Sequence, residues 1–254
     1  MGSVIACNLN SYLQYRETAY EHLAQIGLTY VEIHCPEPSD AGSVQKVLAE
    51  YGLQASSLIV PCQMDADDVV LRFSKALDVV AGMGVSYVFT SAKTGEIDPE
   101  YVYGRLQNIG DAAAERGIVV VLETHPDLVT NGDVARETMA GVAHPNVQIN
   151  FDTANLYYYN RNITATGELA KVIDHVASVH LKDTDGGFES WHFPALGEGV
   201  VDFPEVFSML FERGFDGPFT LELEGIKGEA IDRQRVEKRI EDSLAYLKTC
   251  GMMD

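Results

Sequence analysis

A chain of 254 residues, 46% hydrophobic and 22% charged, is long enough to bury a sizeable core without disulfide or metal staples. Eighteen Lys and Arg against 38 Asp and Glu give a net charge of −20, which excludes a nucleic-acid backbone or an anionic membrane surface as partner, since both need clustered cations. Its 22 glycines and nine prolines show no period, and no apolar run approaches the roughly 20 residues of a membrane span, so fibrous, low-complexity and membrane-spanning classes are excluded too.

The first ten residues, MGSVIACNLN, read as an opening strand rather than a leader, with the strand at 4–7. A helical pattern follows at 12–26, then a strand at 30–33, a helix at 41–51, a strand at 54–59 and a helix at 66–83. The alternation continues with a strand at 87–90, a helix at 98–116, a strand at 119–122, a helix at 132–143 and a strand at 147–151. It closes with a helix at 166–175, a strand at 178–181, a helix at 203–213, a strand at 219–223 and a helix at 230–249. Gly27, Gly52, Gly84, Gly117 and Gly214 each follow a helix and precede a strand, as the left-handed residue that ends a helix should. Asp65, Asp98 and Asp202 are placed to cap helix starts.

Strand–helix alternation means parallel strands joined by crossovers. Eight such units of about 30 residues fill the chain as one domain, 1–254, and the economical closure is an α/β fold of the (β/α)8 TIM-barrel type. A doubly wound sheet would carry a glycine-rich phosphate loop after the first strand. Here that segment is Asn8-Leu9-Asn10-Ser11-Tyr12. Four cysteines without a CxxC pair suggest reduced thiols and a cytoplasmic setting, with Cys7, Cys35 and Cys62 read as small buried side chains at strand ends.

In a barrel of this kind chemistry sits at the C-terminal ends of the strands. Glu32 and His34 end the second strand, Glu123 and His125 the fifth, and Asp152 the sixth, with Asn155 just beyond. His180, Lys182 and Asp183 end the seventh, and Glu222 and Glu224 the eighth. Buried parallel strands should be apolar on both faces, so an acid in such a run must be paired or bind a cation. Several carboxylates and one His at one barrel mouth suit a single, fairly hard divalent ion: Mn²⁺ first, with Mg²⁺, Co²⁺ and Zn²⁺ as alternatives.

From VLETHP through NFDTAN and VHLKD to TLELE, and in the segments LGEGVVDFPEVF and GFDGP, the chain resembles the xylose-isomerase-like TIM-barrel superfamily, the sugar phosphate isomerase/epimerase group. The resemblance implies a metal held by Glu123, Asp152, His180 and Glu222. Glu222 is preferred to Glu224 on the family's spacing from the Gly217 turn, although both point the same way. It also implies that Glu123 and Glu222 flank a keto-sugar or polyol and move the proton beside its carbonyl. A His three residues after the Asp ligand and an Arg six after the His ligand grip substrate in the 3-epimerases of this group. Here those positions are Asn155 and Gly186.

Isomerase, epimerase and dehydratase or lyase outcomes therefore stay open, as does a role as one subunit of a hetero-oligomeric lyase on a keto-glycoside. Lys182 is expected either to stabilise an enolate oxygen or protonate a leaving group, or to pair with Asp183 or Glu224. His125, Asn155, Trp191 and His192 are expected to contact substrate, the last two on a lid after the seventh strand. Glu32 and His34 are read as supporting groups, and Tyr157-Tyr158-Tyr159 as packing. The related abasic-site nucleases need several metals, many histidines and a basic groove, which seven His and a charge of −20 exclude. A small-molecule partner is expected, with a homo-oligomer left open.

Overall fold

Short runs of Val, Ile, Leu and Phe, buried on both faces, pair in chain order until the last meets the first. The computed structural model describes residues 4–95 and 97–253. The paired strands are β1 (Ile5–Asn8), β2 (Tyr30–His34), β3 (Gln54–Ile59), β4 (Tyr87–Thr90), β5 (Val119–Glu123), β6 (Val147–Asp152), β7 (Val176–Leu181) and β9 (Phe219–Leu221). All are parallel, and Ile5 opposite Phe219 closes the barrel, leaving no free edge. Two bulges, at Val31/Glu32 and Ile149/Asn150, shift the register beside residues that build the mouth.

Helices α1 (Ala19–Gln25), α2 (Ala41–Glu50), α3 (Val69–Gly82), α4 (Pro99–Ala114), α5 (Gly132–Val142), α7 (Ala165–Val172), α8 (Phe203–Glu212) and α9 (Arg233–Thr249) surround the barrel. The five helix-ending glycines all sit at positive φ, between +65° and +79°. Asp98 and Asp202 cap α4 and α8 by accepting the Glu100 and Glu205 N–H groups, each with Pro in the first turn. Asp65 caps nothing: α3 starts later, after Asp68. Among the described residues no helix is long and apolar enough to cross a membrane.

Of the helix predicted at 12–26, α1 holds the second half, while the first lies within tight 3₁₀ turns over Leu9–Thr18, with Leu13 at φ +53°. Tertiary bonds outweigh helical propensity there. Ser11 Oγ donates to the Leu221 carbonyl and accepts the Leu223 N–H, stitching this segment to the end of β9. That stitch also ends β9 two residues early, at the point where Glu222 turns into the barrel mouth.

Three small elements lie outside the predicted set. α6 (Asn155–Tyr159) follows β6, and β8 (His192–Phe193) pairs antiparallel with β10 (Gly225–Ile226). This pairing, with the Lys227 N–H donating to the Trp191 carbonyl at 2.9 Å, pins the long segment after β7 across the mouth. Its neck is closed by Asp183, which is fully buried and whose two oxygens accept the backbone N–H groups of Thr184, Gly197, Gly199 and Val201 at 2.9–3.2 Å. Replacing Asp183 with Ala strands four backbone donors. Urea unfolding is expected to show a loss of about 3 kcal/mol or more; a loss below about 0.5 kcal/mol would show that the neck closes without it.

Candidate active site

The ends of β6, β7 and β9 deliver three ligand-type side chains to one point. Asp152 uses Oδ1 to accept the N–H groups of Ala154 and Asn155, both at 2.8 Å, which bends the chain into α6 and leaves Oδ2 directed inward. His180, wholly buried, is held flat against Phe89 with ring centroids 4.5 Å apart. Its Nε2 faces Glu32 Oε1 at 3.0 Å and its Nδ1 faces Glu222 Oε2 at 3.2 Å. Glu32 is itself fixed by hydrogen bonds from Ser57 Oγ at 2.6 Å and Asn8 Nδ2 at 2.9 Å, and Asn8 also reaches Glu222 Oε1 at 3.3 Å.

Asp152, His180 and Glu222 each offer one ligand atom, all within 4.8 Å of one another. Asp152 Oδ2, His180 Nδ1 and Glu222 Oε2 are buried atoms that make no hydrogen bond of good geometry, their close partners being ion-pair contacts with one another and with Lys182. Buried acids need a cation among them, and these three atoms converge. One imidazole nitrogen and two carboxylate oxygens are a donor set that a divalent cation fits.

Lys182, also buried, sends Nζ between the acids: 2.7 Å from Glu222 Oε2, 3.2 Å from Asp152 Oδ2 and 2.8 Å from Glu224 Oε2, while donating to Asn155 Oδ1 at 3.1 Å. Burial opposes the charge on Lys182, but Asp152, Glu222 and Glu224 outweigh it and hold the pKa well above the lysine range. Burial likewise opposes ionisation of Glu222, and Lys182 and His180 outweigh it, so Glu222 stays a carboxylate.

Above this cluster lies a cavity of about 240 Å³. Ser91, Glu123, His125, Asn155, Lys182 and Glu224 form its polar wall, and Tyr158, Tyr159, Trp191 and Phe193 its aromatic wall. Trp191, 42% exposed, packs edge-on to Phe193 at 5.3 Å and Tyr158 at 6.0 Å. His125 Nδ1 donates to the Pro126 carbonyl at 2.8 Å, and burial lowers its pKa, so the neutral ring keeps Nε2 as an acceptor. Asn155 ties the polar wall together, with Nδ2 donating to Glu123 Oε1 at 3.4 Å and Oδ1 accepting from Lys182. Burial, then the charge of Glu222, pushes Glu123 up to about 7.

The structure thus brings Asp152, His180 and Glu222 together and sets Glu123 outside that group, on the cavity wall. Between the two acids of the last strand, Glu222 joins the group while Glu224 lines the cavity. Of the expected substrate contacts, His125, Asn155 and Trp191 line the cavity. His192 pairs with Ile226 in β8 and is not among the lining residues. Of the two pairings weighed for Lys182, the structure forms the one to Glu224, since Asp183 serves the loop neck. Tyr158 and Tyr159 line the cavity rather than serving as packing alone, because α6 turns them back over the mouth. Of the three cysteines expected to be buried, Cys7 is, while Cys35 and Cys62 are half-buried; burial pushes the Cys7 and Cys62 thiols up to about 12.

A family profile described as "Xylose isomerase-like TIM barrel" matches residues 20–250. A ketose 3-epimerase from Arthrobacter globiformis is 26% identical over 227 residues, 78% of this chain and 74% of that protein. An inosose dehydratase from Clostridium beijerinckii is 23% identical over 245 residues, 82% of each. The crystal structure of a xylose isomerase domain protein from Planctomyces limnophilus superposes with a TM-score of 0.77 at 21% identity, covering 98% of both chains.

The carboxylate behind a ligating imidazole fixes the ring and raises its basicity, and its loss generally costs 10–100-fold in metal affinity. Glu32→Gln is therefore expected to weaken Mn²⁺ binding, measured by calorimetry, by about 10–100-fold with the fold intact. Unchanged affinity would mean that the facing carboxylate does not serve His180 in this way.

Proposed function

The chain belongs to the xylose isomerase-like TIM barrel family, and on that premise we propose that it is a divalent-metal-dependent sugar isomerase or epimerase that moves a proton beside a carbonyl. The observation that carries this reading is the convergence of buried ligand atoms from Asp152, His180 and Glu222 beside a cavity that Glu123 and Lys182 line. Relatives named ketose 3-epimerase and inosose dehydratase support a keto-sugar or related polyol as substrate. A donor set rich in carboxylates suits Mn²⁺ first, with Mg²⁺, Co²⁺ and Zn²⁺ able to use it.

Asp152, His180 and Glu222, with Glu123 as a fourth ligand on the family's pattern, would hold a divalent ion, which would supply Lewis acidity for a carbonyl and its neighbouring hydroxyl. The rest falls to the chain. Glu123, on the cavity wall, is the carboxylate placed to take the proton from the carbon next to the carbonyl. Returned to the neighbouring carbon, with the hydroxyl proton passing to the former carbonyl oxygen, that proton gives an isomer; a proton arriving on the opposite face of the same carbon gives an epimer, on the side where the family's pattern puts Glu222, a carboxylate that would first take up that proton from solvent. His125 Nε2 and Asn155 hold substrate hydroxyls, and Trp191 with Tyr158 covers the ring and sheds water from the site.

One observation favours a second outcome, dehydration. Lys182 lines the same cavity as Glu123, so Glu123 can take the C–H proton while the β C–O bond breaks and Lys182 protonates the departing hydroxide.

Incubation of the manganese-loaded enzyme with keto-sugars in D₂O is expected to put deuterium on the carbon beside the carbonyl or on its neighbour. An unsaturated product would select dehydration. Glu123→Gln is expected to lower turnover by about 10²–10⁴-fold at unchanged melting temperature. Full activity in that variant, or no exchange on any keto-sugar or inosose, would overturn the proposal.

A further inference from the structure

We propose that Lys182 and the divalent ion compete for the same two carboxylate oxygens, so that Lys182 is a built-in rival cation that sets the site's ion affinity and turns toward the substrate cavity when an ion binds. This rests on the metal reading given above.

The oxygens that Asp152 and Glu222 offer to an ion, Oδ2 and Oε2, are those that Lys182 Nζ approaches at 3.2 and 2.7 Å. A monovalent ammonium and a divalent ion cannot share two oxygens at such range without strong mutual repulsion, and burial removes the water that would screen it. The cage around Nζ has a second half, Glu224 Oε2 at 2.8 Å and Asn155 Oδ1 at 3.1 Å. Those two residues line the cavity, whereas Asp152 and Glu222 are not among its lining residues. A small swing of Nζ toward Glu224 and Asn155 therefore frees both ligand oxygens without stranding a buried charge, which would be the costly alternative.

The arrangement gives Glu224 a task. It stands outside the group of converging ligand atoms, yet it is the counter-ion that receives the displaced ammonium. It also links loading to readiness: with its partners reduced to Glu224 and Asn155, the Lys182 ammonium is presented to whatever occupies the cavity.

The test is calorimetric titration of chelator-stripped wild type and Lys182→Met with Mn²⁺ at one pH. The variant is expected to bind at least tenfold more tightly, and its stripped form to melt lower than stripped wild type. Equal or weaker binding by the variant overturns the competition while leaving the metal site standing. Absence of binding by both proteins overturns the metal reading itself, and the competition with it. A measurement on unaltered protein covers a variant that fails to fold: reductive methylation followed by peptide mass spectrometry. Labelling of Lys182 is expected to rise at least threefold on saturation with Mn²⁺, and an unchanged or slower rate overturns the proposal.

Discussion

The mouth of this barrel is organised by repulsion between acids that have been taken out of water. Glu32, Glu123, Asp152, Glu222 and Glu224 gather there with Lys182 and His180 as the facing bases. Two like charges 4 Å apart repel by about 4 kcal/mol at an effective dielectric near 20, and burial adds a desolvation cost for each ion. Several such pairs would exceed the 5–15 kcal/mol by which a domain is typically stable. The acids can stay ionised only if cations stand among them: Lys182 is one, and the converging ligand atoms of Asp152, His180 and Glu222 mark where a divalent one fits.

Everything else at this end of the barrel serves that arrangement. The bulge before Glu32 and the early end of β9 aim two acids, from strands on either side of β1, at one imidazole. Asn8, at the end of β1, bridges Glu32 and Glu222, and Phe89 holds His180 flat. Asp183 closes the neck of the segment that carries Trp191 and Phe193, and the β8–β10 pairing fixes its far end, so the aromatic wall belongs to the folded scaffold. Its neighbour Lys182 points the opposite way, into the acids, as strand alternation requires.

The barrel was legible because buried parallel strands are apolar on both faces and five of the helices between them end in glycine. All eight strands fall within two residues of the expected ends. The acids that interrupt them stood out for the same reason. What the pattern could not carry was tertiary. Leu9–Thr18 has helical composition, yet bonds from Ser11 to β9 wind it as 3₁₀ turns. Glu222 and Glu224 share a strand parity, so only the turn after Leu221 separates the acid beside His180 from the acid in the cavity. Glu32 meets His180 across the barrel, from a strand that is not its neighbour, which no local periodicity can signal. Tyr158 and Tyr159 reach the cavity through the five-residue α6, too short to leave a helical pattern.

The most direct measurement is an anomalous difference map at the manganese edge from crystals grown with Mn²⁺. The account predicts one strong peak bonded to Asp152, His180 and Glu222. A map with no peak there, or with the ion held elsewhere while those three side chains contact only one another and Lys182, would contradict it.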